Sequence, residues 1–309
     1  MIAARVGFGG STAYDPDDPA VARVADGATV VFDTVDARAG ALLERPPGAF
    51  RLEPSTLDGN PVSGPVHLDG AEPGDAIRVD VLAIRCGPRG WSGAHAHVGW
   101  LAGRSDVEPV GFIGEVDGDR VRVRDGLDLP LRPMLGCIGT APTVRTPAAG
   151  AGAHGGNLDH PVIGVGAQVL LPVLVPGALL SIGDVHAVQG HGELSGVALE
   201  VPAEVAVRVT LLRGLGIARP WVRRDGRIGV LAAAETFEAA VAAAVDESVD
   251  RLGADAGLSP AAALATLSVC GDITVGAAWG GGVVTVLVDA PDRFGVLAGA
   301  FADEEVEAP

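Results

Sequence analysis

Lysine occurs nowhere in the 309 residues; the 22 basic side chains are all arginine. That absence excludes a Schiff-base lysine, a P-loop, which needs its phosphate-binding lysine, and a Ser-Lys hydrolytic pair. Basic charge is scarce altogether. Against 39 acidic residues the arginines leave a formal charge of −17, and only Arg223 and Arg224 are adjacent. Nucleic-acid binding draws its affinity from clustered cations that displace counterions, so DNA and RNA are not expected partners. An anionic membrane surface is disfavoured on the same ground.

Cysteine is sparse too. Cys86, Cys137 and Cys270 are widely spaced and odd in number, which suits buried thiols in a reducing cytoplasm better than a disulfide frame or a zinc ribbon. Long apolar runs are missing: Val169 to Val175 is interrupted by Pro172 and closed by Pro176, and Met1 to Gly10 lacks the order of a secretory leader. The expectation is a cytoplasmic protein with no membrane partner. What remains is 48% hydrophobic and 20% charged, with 45 glycines and 22 prolines, a balance that supports a packed chain of one or two domains.

From about Gly27 to Thr210 short β-favouring runs alternate with Gly, Pro, Asp and Asn. Ala76 to Ile84 reads as a strand started by the turn residues Glu72-Pro73-Gly74-Asp75. Arg120 to Arg124 reads as another, entered by the hairpin chemistry of Asp117-Gly118-Asp119. After Gly216 the pattern changes. Arg227 to Ala232 is a strand, and a helix opens at Glu235-Thr236 and runs to about Leu252, with Phe237, Val241, Val245 and Val249 on one face. Ser259-Pro260 caps a second helix to about Val269, and Val283 to Val288 is an apolar strand. Both helices are expected to pack on the core, and the acidic tail Asp303-Glu304-Glu305 to fray. The chain therefore reads as α+β, mainly β. A β-rich, sandwich- or barrel-like region over 1–215 carries the site, and a smaller α/β region covers 216–309.

Four of the seven histidines lie between His154 and His191, among Asp159, Asp184 and Glu193. On a strand from Ile182 to Val188, Asp184 and His186 would share a face. If Gln189-Gly190-His191-Gly192 is a tight hairpin loop, Glu193 falls opposite Val188 and projects the same way. An imidazole and two carboxylates then converge as a zinc-type cation requires, with Asp159 a further ligand from another loop. The competing reading makes Gly183-Asp184 a simple turn, Glu193 a solvated acid and His186 a core histidine. His95-Ala96-His97 has the spacing of a ligand pair, but its loop-like setting beside Trp91, Ser92 and Gly93 favours exposure without function.

These segments resemble a known family. Gly155-Gly156-Asn157-Leu158-Asp159, Pro176 to Ala187 and Gln189-Gly190-His191-Gly192-Glu193 are similar to the signature of the acetamidase/formamidase family. So are Ser63 to Asp75, Gly136 to Pro142 and Ser268 to Asp272. Ordered motifs spread over roughly residues 25 to 290 are more specific than any one of them. The resemblance implies hydrolysis of formamide or acetamide to ammonia and a carboxylate. It also implies a homo-oligomer, taken here as a dimer, and a divalent metal, zinc first and calcium or manganese next. Amidase designs built on Ser-Ser-Lys or Glu-Lys-Cys cannot be made from this chain, whereas a metal-assisted one can.

Carried over to matching positions, the resemblance implies that Asp159, Asp184 and His186 hold the metal and that Glu193 moves the proton from water to the leaving ammonia. Asn157 and Gln189 are assigned to the substrate amide. Glu72, Asp75, Glu200 and Asp272 match less securely. Two departures, His191 where the family more often has Asp and His67 where an aromatic is usual, bear on substrate choice. Alternatives are a non-catalytic β-rich binding protein of the same fold and a hydrolase of a cyclic or bulkier amide.

Overall fold

The computed structural model describes residues 1–46, 48–124, 126–278 and 282–301; the tail at Asp303-Glu304-Glu305 lies outside them. The alternating stretch after Asp75 forms the long strand Ala76–Cys86, which pairs antiparallel with Ala203–Leu212 on one side and Gln168–Pro172 on the other. These three are the middle of a nine-stranded sheet. Ile2–Val6 and Ala28–Thr34 extend one side of it; Trp221–Arg224, Arg227–Ala234, Val284–Pro291 and the edge strand Asp272–Val275 extend the other. A twelve-stranded second sheet places Arg89–Ala94, Glu200–Val201, Leu180–His186, Met134–Gly139 and Gly155–Asn157 side by side.

The sheets share one core. Val79, Val205 and Val207 of the first meet Ile138, Leu180 and Ile182 of the second. Ile138 and Ile182 are fully buried, and such side chains contribute about 1.5–3 kcal/mol each. Arg120–Arg124 pairs with Val110–Asp117 through the two-residue turn Gly118-Asp119, as the turn chemistry required. The architecture is the mainly β, α+β arrangement expected. Past residue 216 the strands join the nine-stranded sheet, while Trp221, Ile228, Val230, Val286 and Val288 bury a second cluster under the first helix.

That helix, α1 (Phe237–Ala256), starts at Thr236, whose hydroxyl accepts from the Ala239 N–H. Its buried row is Ala240, Ala244, Ser248 and Leu252 rather than the Phe237–Val249 row expected. Small side chains let the helix approach the sheet closely, so the valines flank the contact and Phe237 stays exposed. The second helix, α2 (Pro260–Cys270), is capped by Ser259 as expected, yet buries only Ala263. Leu267 packs against the second cluster, but Leu264 and Val269 face outward, so α2 is not the core helix its composition suggests. No single helix among the described residues is long and apolar enough to cross a membrane.

Candidate active site

Strand Leu180–His186 is buried at every position, so its polar side chains must find partners inside the protein. On one side it pairs with Met134–Gly139, His186 opposite Met134. On the other it pairs with Glu200–Val201, His186 opposite Glu200. The tight hairpin expected at Gln189–Gly192 does not form. The connection is a loop tied by Ala187 N–H to Leu199 O (2.9 Å) and Leu199 N–H to Val188 O (3.2 Å). Glu193 therefore reaches the site from a loop rather than from a paired strand. The Gly192 N–H donates to Val275 O (3.1 Å) and Gly276 O (2.8 Å), and Ala278 N–H donates to Gly192 O (2.9 Å). A segment more than eighty residues downstream fixes this loop, which no local reading could reveal.

Asp159 is placed by Gly136, whose carbonyl accepts the N–H groups of Leu158 (2.9 Å) and Asp159 (3.2 Å). Asp159, Asp184 and Glu193 have φ of 44°, 53° and 39°, in the left-handed region that costs a side chain of order 1–3 kcal/mol. Local backbone energy opposes all three placements, so the surrounding tertiary contacts impose them. Gly136 is the floor beneath two of them. A Cβ there would lie 2.6 Å from Asp159 Oδ1 and 2.8 Å from Asp184 Oδ2.

Four carboxylates and one imidazole meet at this point, all at least nine-tenths buried. His186 Nε2 lies 3.2 Å from Glu200 Oε2 and 3.6 Å from Asp184 Oδ1. Its Nδ1 faces Gln189 Oε1 at 2.7 Å, while Gln189 Nε2 donates to Asp159 O. An amide whose nitrogen is spent on a carbonyl must accept with its oxygen, so His186 carries a proton on Nδ1 and turns Nε2 to the carboxylates. Both ends of Gln189 are thus committed. It positions His186, a correction to the substrate-binding role expected for it.

Asn157 Nδ2 donates to Asp159 Oδ2 (2.5 Å), and its Oδ1 accepts from Asn60 Nδ2 (2.9 Å) and Cys137 Sγ (3.0 Å). Asn60 Nδ2 also donates to Asp184 Oδ2 at 2.6 Å. Asn157 also lines the cleft.

Burial first, and then the neighbouring Asp184, raises the Asp159 pKa to about 8. Glu200 is raised to about 7, again by burial against the pull of His186, and Glu193 is pushed well above the ordinary carboxylate range by burial and Asp159. Burial raises Asp184 as well, but the His186 charge and hydrogen bonds outweigh it and hold Asp184 low. Burial would lower His186, yet Glu200 and Asp184 raise it well above its usual value. The cluster holds more negative charge than its own groups neutralise, so protons or a cation must balance it.

The donor set fits a divalent metal. Asp159 Oδ1 is buried without a hydrogen bond, and Asp184 Oδ1 and Glu200 Oε2 have only the shared His186 Nε2 beside them. Two triads have ligand atoms within 4.8 Å of one another, Asp159 with His186 and Glu193, and Asp184 with His186 and Glu200. The carboxylates floor a cleft of about 350 Å³ whose walls include Arg38, Asn60, Trp91 and His95.

A family model described as the Acetamidase/Formamidase family matches residues 9–150 and 140–227, most of the length. The chain belongs to the acetamidase/formamidase family. The structure superposes on the acetamidase from Bacillus halodurans with a TM-score of 0.87 and 31% identity, covering 94% of this chain and 100% of that one. The acetamidase from Yersinia enterocolitica gives 0.87 and 27%, covering 95% and 93%. The acetamidase of Mycolicibacterium smegmatis is 26% identical over 66% of this chain. The chain spans about two thirds of the length of the curated relatives it matches, 63% and 66%.

This acetamidase/formamidase family member also uses residues that its sequence disguised. Asn60 follows Asp58-Gly59 and looks like turn chemistry, yet it ties Asn157 to Asp184. Its signal was rarity, for Asn60 and Asn157 are the only asparagines in the chain. Glu200, matched less securely, stands directly beside His186. Glu72 and Asp75 instead belong to an exposed turn, and Asp272 pairs with Arg227 at 2.7 Å on the surface. The pair His95 and His97, expected to be exposed, lines the cleft, and His95 is buried because the strand Arg89–Ala94 carries it into the wall.

Proposed function

We propose that this protein hydrolyses a small amide to ammonia and a carboxylate, with a divalent cation, zinc first and manganese or calcium next, held by the triad Asp184, His186 and Glu200 and reached by Asp159 from the neighbouring triad that shares His186. The observation that carries this reading is a group of buried carboxylates at the foot of a cleft, in which Glu200 Oε2 and Asp184 Oδ1 share the single cation His186 and Asp159 Oδ1 has no hydrogen bond. A cation bound there supplies positive charge that acidifies water and offsets the buried acids. Glu193 takes a proton from the attacking water as the new C–O bond forms and gives it to the amide nitrogen as the C–N bond breaks. Its raised proton affinity, from burial and Asp159, makes it a stronger base than an exposed carboxylate, as a group that takes a proton from water needs to be. Asn157 orients the amide from its place in the cleft lining, and Gln189 keeps His186 in the required tautomer.

The partner of the chain is a second copy of itself. Between Ser259 and Gly271 there is no charged residue, and Leu264 and Val269 are 49% and 87% exposed. On a chain of net charge −17 such an uncharged apolar face is where two copies approach with least repulsion. The unpaired thiols fit a reducing cytoplasm.

Ammonia release from an amide panel, with and without a chelator, tests the activity. Turnover that the chelator abolishes and added metal restores is expected. No ammonia from any amide in the metal-loaded protein would favour a binding protein of the same fold.

A further inference from the structure

Away from its carboxylate floor the cleft changes chemistry. Its volume of about 350 Å³ far exceeds that of acetamide, which fills roughly two or three water volumes at about 30 Å³ each. Clefts of about 300 Å³ and above suit longer ligands. Trp91 is paired in register with Glu200 and, with Val197, makes an apolar step next to the floor. Arg38 lies against that step, its guanidinium carbon 5.5 Å from the Trp91 ring centre. His95 lines the same cleft and is only 6% exposed.

Both wall residues present hydrogen-bond donors. His95 Nδ1 accepts the His97 N–H at 3.2 Å, so the neutral ring carries its proton on Nε2, the edge left for the cleft that His95 lines. Burial, the Arg38 charge and His97 all hold the His95 pKa below its ordinary value, which keeps the ring in this neutral form. Arg38 Nη2 donates to Glu53 O at 2.9 Å, and its charge, held down by burial, is supported at longer range by Glu200 and Asp36 without an ion pair within 4.0 Å among the described residues. Asp36, the acid closest in sequence, already accepts from Trp91 Nε1 (2.8 Å), the Arg38 backbone N–H (2.9 Å) and the Gly40 N–H (2.7 Å).

The cleft thus runs from acids through an apolar step to a cation and a neutral donor. We propose that Arg38 and His95 form a carboxylate subsite and that the substrate is the monoamide of a short dicarboxylic acid. This rests on the amidase reading above and adds the far end of the substrate. The amide lies at the floor, the methylenes pass the partly buried Val197 in front of Trp91, and the carboxylate receives charge-assisted hydrogen bonds from the guanidinium fork and the imidazole N–H.

The test compares ammonia release from succinamate and glutaramate with that from neutral aliphatic amides of matching length, at low and high salt. A preference in kcat/KM of about 10- to 100-fold for the anionic amides, shrinking with salt, is expected. Arg38→Met, which keeps an apolar stem over Trp91, and His95→Ala should each lower kcat/KM for succinamate at least several-fold more than for acetamide. Equal kcat/KM for charged and neutral amides in the wild-type protein, or variants that keep the preference, would overturn the subsite while leaving the amidase reading intact. Absence of turnover on every amide would overturn the amidase reading and the subsite with it. Should a variant fail to fold, the wild-type preference and its salt dependence decide.

Discussion

Gly136→Ala perturbs the site without removing any of its functional groups. The added methyl would sit 2.6 Å from Asp159 Oδ1, 2.7 Å from Asp184 O and 2.8 Å from Asp184 Oδ2. None of these atoms yields easily: the carbonyl is strand backbone, and both aspartates are already held in left-handed conformations. Relief must therefore come from moving the two carboxylates apart. Overpacking of this kind costs about 1–3 kcal/mol, which for a chain of this length lowers Tm by roughly 2–6 °C. Misplacing reacting groups by fractions of an ångström to one ångström should lower kcat/KM by about 10- to 100-fold.

Gly229→Ala is the control. Its methyl would lie 2.5 Å from Asp289 Cβ and 2.5 Å from Val288 O, on the nine-stranded sheet and outside the cleft. Thermal melts, metal content and ammonia release on both variants separate the effects. Both should lose stability, but only Gly136→Ala should lose turnover and metal per folded molecule. Wild-type turnover in folded Gly136→Ala, or an equal loss in Gly229→Ala, would refute the argument that Gly136 holds the carboxylates in place.

Gln189→Leu should weaken metal affinity by about 10- to 100-fold in chelator competition while folding is retained; unchanged affinity would mean that something other than Gln189 sets the His186 tautomer. Glu193→Gln should lower kcat by about 10²- to 10⁴-fold with metal content preserved, and full activity would remove Glu193 as the proton carrier. Burial lowers the His154 pKa from 6.5 to about 4, so between these values the folded protein binds fewer protons than the unfolded chain. The stability contribution is present above pH 6.5 and is lost as pH falls toward 4, by about 3 kcal/mol at the lower end. Urea midpoints at pH 7 and 4.5 should show this fall, with a shallower slope in His154→Asn; an unchanged slope contradicts it. Val269→Glu on α2 should shift a homodimer toward monomer in light scattering, and an unaltered mass would place the contact elsewhere.

Much of the fold follows from local chemistry. The strands around Ala76 and Arg120 and the caps at Thr236 and Ser259 are written in neighbouring residues, because turns, caps and alternation act over a few positions. Helix faces were less legible. In α1 the valine row looked like the core face, but tight sheet packing favours the alanines beside it. In α2 an apolar composition did not lead to burial, because no element covers that side among the described residues.

The sequence by itself determined the ingredients. A chain without lysine cannot use lysine chemistry, and the ordered motifs from Ser63 to Glu193 place Asp159, Asp184 and His186 among candidate ligands before any coordinates exist. Tertiary structure alone decided their arrangement. Glu200 faces His186 through strand pairing, Glu193 is held by the backbone of residues 275–278, and Asn60 crosses nearly a hundred positions to reach Asn157. Asp159, Asp184 and Glu193 also occupy conformations that local energetics disfavour. Short-range preferences can specify a strand or a cap, but they cannot place residues whose local energy is unfavourable; only the contacts of the folded whole offset that cost.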